Sequence, residues 1–490
     1  MSSTTDVNPA PEVIPSLQRW TGRAGTMSLA DGFRVVYATE SLGGTAAGLV
    51  RDLAEVTGIQ GRSVLAGGES RPGDIVLALD PEQDLGTEHP TAGPEGYALT
   101  VGQTVAITAR TLTGLFWGTR TVLQMAAKST SLPQGIAIDW PNYAVRGFML
   151  DVGRRFAEAG FIRDYIRFMS WFKMNTFLVH LSDNEITKDT KRSWPEAQHG
   201  FRLATDNPAF AGLASTDGSY DRADWDSFEE VAAAHHVTLV PEIDVPAHSR
   251  SIISWKPSLG LNDGDSDMLN LSNPDTLGVV KDIFSEFTPW FKGPSVHFGA
   301  DEYARGYSDL YRQFFNDMSA HLRSLGKDPI AWGSLKVMSD DVENPADGYS
   351  RDVVLCAWSH GWYDPQDAVD DGYTIINTND GLLYIVPFAD YYHGSGLDGQ
   401  SLFETWEPHV FSGERTLAPQ HPQLLGAASA LWNDLVLSDY NEHDVHGLLE
   451  PTFGTLAQKM WVGAVPELGY EAFTKQLDAL RNWPGREFLA

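Results

Sequence analysis

His297-Phe298-Gly299-Ala300-Asp301-Glu302-Tyr303 decides how the rest of the chain is read. Ser295 to Gly299 reads as a short buried strand, and two adjacent carboxylates follow where that strand gives way to a loop. Neighbouring strand residues point to opposite faces, so both acids can serve one cleft only where the strand ends. Such a pair has a chemical use: one carboxyl held protonated as an acid, the other ionised beside it. Alone, an Asp-Glu pair reads as two solvated surface acids. The rest of the chain argues otherwise.

Upstream and downstream of this stretch, apolar strand-like runs alternate with amphipathic helical ones. The expected strands are Arg146 to Asp151, Thr176 to Leu181, Thr238 to Ile243, Ser295 to Gly299, Pro329 to Trp332, Val353 to Trp358, Thr374 to Asn377 and Gly426 to Trp432. Helical stretches lie between several of them: Phe161 to Lys173, Trp225 to His235, Leu277 to Phe287 and Tyr307 to Leu325, with Pro451 to Val462 after the last. Eight strand-helix units predict an α/β chain built on a (β/α)8 TIM barrel with long insertions. A doubly wound sheet would need a Gly-rich phosphate loop after its first strand, and none is there.

The pattern changes at Asp139-Trp140-Pro141-Asn142-Tyr143, which places the barrel over residues 141–490. Before it, residues 21–140 show short alternating runs such as Ile75 to Leu79 and Tyr97 to Val101, with two helical stretches, Thr45 to Val56 and Gly114 to Ala127. These predict a small α+β domain, with no chemical constellation, preceding the barrel. Residues 1–20 are polar and Pro-containing and are expected to be disordered or loosely draped.

The 490 residues carry 35 Lys plus Arg against 65 Asp plus Glu, a net charge of −30. That acidity argues against nucleic acid, anionic membranes and strongly anionic polymers as partners. Cys356 is the sole cysteine, so no intrachain disulfide or cysteine-based metal cluster can form; within Val353 to Ala357 it reads as an inert core residue. The first twenty residues lack a basic segment followed by an apolar one, and no apolar run is long enough to span a bilayer. A cytoplasmic protein is therefore the expectation, although a chain already freed of its signal for secretion would read the same.

Polar residues gather at the strand ends, where barrels of this kind build their sites. The first strand ends in Asp151 and then Arg154; the second runs His180-Leu181-Ser182-Asp183; the third gives Glu242 and Asp244, then His248; the fourth gives His297, Asp301 and Glu302. Trp332, Trp358 and Trp432 end three more, the last followed by Asn433-Asp434. A sugar ring offers an apolar face to stack on and hydroxyls to bond, so aromatics around carboxylates predict a sugar pocket. Arg154 fits a ligand clamp, and Asp183 with His248 fits an outer shell that holds Glu302 and tunes its proton. His180, Asp183, His248 and His297 are also plausible metal ligands. No His-x-His pair follows the first strand, however, and there is no His-Glu-x-x-His helix, so neither a metal nor another cofactor is expected.

Four ordered motifs resemble the family-twenty glycoside hydrolases, the β-N-acetylhexosaminidases. They are Arg146-Gly147-Phe148-Met149-Leu150-Asp151-Val152-Gly153-Arg154, His180-Leu181-Ser182-Asp183, Pro241-Glu242-Ile243-Asp244-Val245-Pro246-Ala247-His248-Ser249 and His297-Phe298-Gly299-Ala300-Asp301-Glu302. Gly114-Leu115-Phe116-Trp117-Gly118 and Thr121-Val122-Leu123-Gln124 look like that family's non-catalytic domain. The resemblance implies retaining hydrolysis of a terminal β-linked N-acetylhexosamine in an oligosaccharide or glycoconjugate. The substrate's own 2-acetamido oxygen would form an oxazolinium ion, outside the two-carboxylate scheme of most retaining glycosidases. It further implies Glu302 as general acid and then base, Asp301 as the group orienting the acetamido, and Arg154 binding the far hydroxyls. Trp332, Trp358 and Trp432 would wall the pocket, Asp434 and His297 would join the substrate-binding set, and Asp183 and His248 would relay behind Glu302.

Three departures bear on substrate linkage and length. Asn184 stands where relatives often carry a second Asp, and Asp434 where many carry Glu. The acetamido-binding tyrosine is matched by Tyr384 in Leu383-Tyr384-Ile385-Val386-Pro387, a form resembling the dispersin-type branch that cleaves β-1,6-linked poly-N-acetylglucosamine. Alternatives are therefore such a polymer-cleaving enzyme, a disaccharide-releasing lacto-N-biosidase, or a non-catalytic glycan-binding protein. Long loops follow the second and seventh strands, carrying Trp194 and His199, and Tyr391, Tyr392, His393 and Trp406. They predict contacts with the substrate beyond its first sugar, or with a second copy of the chain in a homodimer.

Overall fold

Eight apolar runs do close into a barrel. In the computed structural model, which describes residues 7–67, 70–463 and 468–490, the barrel strands are Val145–Asp151, Thr176–His180, Thr238–Val245, Ser295–Gly299, Asp328–Trp332, Val354–Ala357, Thr374–Asn377 and Leu424–Leu431. Each pairs in parallel with the next, and the eighth closes on the first in a register running from Gly426 opposite Val145 to Leu431 opposite Leu150. The strands are buried along most of their length because helices cover the outside and side chains fill the inside. Met149, Leu178, Val240, Ile330, Trp332, Cys356, Ile376 and Ala428 make up that interior, so Cys356 is the buried core residue expected.

One helix begins earlier than the sequence suggested. The stretch expected over Pro451 to Val462 belongs to a helix that runs Glu442–Trp461 with the proline inside it. Asn441 caps it, accepting from the amides of His443 and Asp444, while Asp444 returns the bond to the Asn441 amide. The reciprocal cap, about 1 kcal/mol, fixes where the first turn begins.

The preceding domain is a seven-stranded sheet with the helices Gly43–Thr57 and Leu112–Lys128 packed together. The second helix, capped by Thr111, is buried almost throughout and lies between sheet and barrel. Gly118 rests on Ile107 and Tyr97 of the sheet, while Trp117 meets Trp461 of the barrel's last helix at 6.3 Å. Ordered hydrogen bonds hold the segment before Arg19: the Ile14 amide donates to Gln124 at 2.8 Å and the Ser16 amide to Gln458 at 2.7 Å. Val13 and Ile14 are fully buried. Residues 13–18 are therefore held between domain and barrel rather than lying free; residues 1–6 are outside the described residues. Among the described residues, no helix is long and apolar enough to cross a membrane.

Candidate active site

A cleft of about 660 Å³ opens at the carboxyl ends of the barrel strands, within the usual range for a small-molecule site. Arg154, Asp183, Asp244, His248, Asp301, Glu302, Trp358, Tyr384, Trp432 and Asp434 all line it. The reason is topological: parallel strands deliver their C-terminal ends to one rim, so residues scattered over 280 positions converge.

Arg154 is the electrostatic hub of one wall. Its Nη1 lies 3.0 Å from Asp151, 2.9 Å from Asp183 and 3.5 Å from Asp434, and its Nε donates to the Asn184 carbonyl at 2.8 Å. Burial alone would raise the Asp183 carboxyl, but Arg154, His248 and His180 together hold it well below the ordinary range. Asp183 then passes its charge inward: Oδ1 is 2.9 Å from His248 Nδ1, and His248 Nε2 is 3.3 Å from Glu302 Oε2 and 3.8 Å from Asp301 Oδ2. Burial disfavours a charged imidazole there, yet Asp183, Asp301 and Asp244 push the His248 pKa well up.

The two adjacent acids differ in setting. Glu302 is half exposed at the lip, and its bond from His248 holds its carboxyl below the usual value. Asp301 is largely buried, and burial reinforced by the Glu302 charge pushes it up to about 6, against the pull of His248. The loop that separates them from the strand adopts left-handed backbone at residues other than glycine, with φ 70° at Ala300 and 46° at Glu302; His248 is also left-handed at 52°. Such strain is held by surrounding structure and clusters at functional sites. Here the Tyr311 hydroxyl donates to the Ala300 carbonyl, and the Ala300 amide donates to Val245 at 2.9 Å.

Trp358 and Tyr384 stand parallel, 6.5 Å apart, and Trp432 closes on Tyr384 at 5.6 Å. The indole N–H groups of Trp358 and Trp432 are buried without a partner among the described residues, so both are available to a ligand acceptor. Tyr391 donates to Asp434 at 3.2 Å.

Two predicted members sit one layer down. Trp332 and His297 do not line the cleft: the Trp332 indole donates to Glu242 at 2.6 Å and its ring lies 5.5 Å from Trp432, while His297 Nδ1 accepts from the Gly299 amide at 3.1 Å. They brace the floor because the strand turns their side chains into the barrel. Of the loop residues, Trp194, Tyr391 and Tyr392 do line the cleft. His199 faces a separate pocket, Trp406 is buried in the core, and the His393 ring is turned to the Tyr384 carbonyl. Asp244 lines the cleft without having been assigned a role. Its position at a strand end was the available signal. Asp183, Asp244 and His248 bring donor atoms within 4.8 Å of one another, as do His180, Glu242 and Asp244. His180 already faces Asp183 and Glu242, and His248 faces Asp183, so both imidazoles are engaged in a proton network with these two carboxylates.

Residues 143–464 match Glycosyl hydrolase family 20, catalytic domain, and residues 10–140 match Glycosyl hydrolase family 20, domain 2. The chain belongs to glycosyl hydrolase family 20. It is similar to a lacto-N-biosidase from Bifidobacterium bifidum, 25% identical over 98% of this chain but 42% of that protein, and to a β-hexosaminidase from Emericella nidulans, 23% identical over 79% of this chain and 71% of the other. This family-20 chain thus spans well under half of the first relative. Among solved structures, the β-N-acetylhexosaminidase of Streptomyces coelicolor superposes with a TM-score of 0.76 at 21% identity, covering 97% and 96% of the two chains. A variant of the Streptomyces plicatus β-hexosaminidase in complex with GlcNAc gives 0.78 at 20% identity, covering 97% and 95%.

Proposed function

We propose that this family-20 chain is a retaining exo-β-N-acetylhexosaminidase, releasing a terminal GlcNAc or GalNAc from a β-linked oligosaccharide or glycoconjugate by substrate-assisted catalysis. The observation that carries the reading is the division of labour between neighbours: Glu302 at the lip on the Asp183–His248 chain, and Asp301 behind it beside Tyr384. Relatives named β-hexosaminidase support it.

In the free site the mobile proton resides on His248, paired with ionised Glu302. A sugar over the lip removes water from Glu302, and desolvation favours the neutral acid. The proton then crosses the 3.3 Å gap from His248 Nε2 to Glu302 Oε2. Glu302 protonates the glycosidic oxygen as the acetamido oxygen attacks the anomeric carbon from the opposite face. Asp301 accepts the amide N–H and offsets the oxazolinium charge, and the Tyr384 hydroxyl donates to the acetamido oxygen. Water activated by Glu302 opens the ring on the first face, so the β configuration is retained. Arg154 and Asp434 hold the outer hydroxyls against the walls of Trp358 and Trp432.

Glu302→Gln is the test. On an aryl N-acetyl-β-glucosaminide it should lower turnover roughly 10²–10⁴-fold, the contribution of a positioned acid/base. Unchanged turnover removes Glu302 from the mechanism, and no turnover by the parent chain leaves only glycan binding. Running aryl glycosides of a disaccharide and of β-1,6-linked oligomers alongside separates release of one sugar from the lacto-N-biosidase and dispersin-type alternatives.

A further inference from the structure

Asp244 is the penultimate residue of the third barrel strand, is 1% exposed and lines the cleft. Its amide donates to Ser182 Oγ at 3.0 Å, so its backbone is fixed. Its side chain differs from every other acid of the network in having no cation bonded to it. Oδ1 is buried with no hydrogen-bond partner among the described residues, and so is Oδ1 of Asp301. The two strands that carry them are adjacent, with Val245 paired to Gly299. Asp244 Oδ1 fills the space beside Gly299, where a Cβ would come within 1.7 Å of it, so it reaches directly under the loop that presents Asp301.

Two neighbouring buried carboxyls disfavour ionising together, and sharing a proton relieves both. We propose that Asp244 is a positioning residue for Asp301: its carboxyl stays protonated and donates to the otherwise unpartnered Asp301 oxygen, leaving the other oxygen to receive the substrate's amide N–H. This rests on the substrate-assisted reading above and adds a group to it. Asp301 has two equivalent oxygens and a rotatable side chain, so a fixed donor at one of them selects a single orientation for catalysis. The groups facing Asp244 are Asp301 from the fourth strand, Glu242 from its own, His180 from the second, and Asp183 and His248 from the loops beyond the second and third. Burial, then the nearby Asp301 charge, raises the Asp244 carboxyl well above its ordinary range, and Glu242 adds to the effect against the pull of His248 and His180.

The experiment compares Asp244→Leu, similar in shape but without a donor, with Asp244→Asn, which keeps a neutral donor. Asp244→Leu should lower kcat roughly 10- to 100-fold, the range for a lost hydrogen bond to a charged group, with KM changed less. The acid limb of its pH profile should move to higher pH, because ionised Asp301 has lost a donor. Asp244→Asn should restore kcat to within about threefold, with a limb near the parent's. Movement of the limb to lower pH in both variants would mean that Asp244 carries a charge, and overturns the proposal. So does an Asp244→Asn as impaired as Asp244→Leu, or an Asp244→Leu with parental activity. Infrared spectroscopy of the parent at neutral pH should show the C=O stretch of a protonated carboxyl that Asp244→Asn lacks; retention of the full band also overturns it. That spectrum tests the proton even if the aryl glycoside proves not to be a substrate, so the two readings fail separately.

Discussion

Removing Glu95, far from the chemistry, should destabilise the barrel. Arg146 opens the first barrel strand and is fully buried. Glu95 of the preceding domain accepts from its Nη1 at 3.1 Å and its Nη2 at 2.5 Å, and also from the Trp117 indole at 2.9 Å. The guanidinium otherwise donates to the carbonyls of Lys173 and Tyr143, both at 2.8 Å, and lies 5.0 Å from the Trp461 ring. Glu95→Ala leaves that charge buried without its counter-ion, a change that costs about 3–5 kcal/mol. For 490 residues at about 2.1 cal/mol/K each, the unfolding entropy is about 1 kcal/mol/K. A cooperative melt should therefore fall by about 4 °C, read by calorimetry. Arg146→Met in the Glu95→Ala background should recover much of the loss, since the penalty is the unpaired charge rather than the missing contact. A single variant melting within 1 °C of the parent, or a double variant no better than the single, would refute the claim that this domain supplies the barrel's counter-charge.

Two further outcomes follow from the cleft. The raised Asp301 carboxyl is protonated below about pH 6, so kcat/KM on the aryl glycoside should decline as pH falls through that value, with Asp301→Asn losing this limb along with most activity. Arg154→Lys keeps the charge but not the planar fork that reaches Asp151, Asp183 and Asp434, and should lower kcat/KM roughly 10- to 100-fold, chiefly through KM.

Much of this protein is legible locally. Buried parallel strands announce themselves as apolar runs, and all eight lie within two residues of their expected ends, because strand burial is written in consecutive residues. The rim was legible too: in a barrel, whatever follows a strand's last apolar residue must reach the same face. That is why the sequence alone places Arg154, Asp183, His248, Asp301, Glu302 and Trp432 together, and all six line the cleft. The short strand Gly61–Leu65 and the exposed, glycine-containing strand Arg19–Ser28 were not anticipated, since neither shows a clean alternation of apolar residues.

Sequence alone settled which residues stand at the strand ends; it could not say how far each side chain reaches. Trp332 and Trp358 end neighbouring strands, yet only Trp358 touches the cleft, because the pleat turns the other inward to Glu242. Trp406 looked like a cleft aromatic on a long loop and instead packs in the core. The ion pair of Glu95 with Arg146 spans 51 positions, and the unpartnered oxygens of Asp244 and Asp301 span two strands. Contacts of this kind have no local period to betray them. They exist only once the sheet has closed and water has been driven out, and it is that exclusion which parts the proton affinities of the adjacent Asp301 and Glu302.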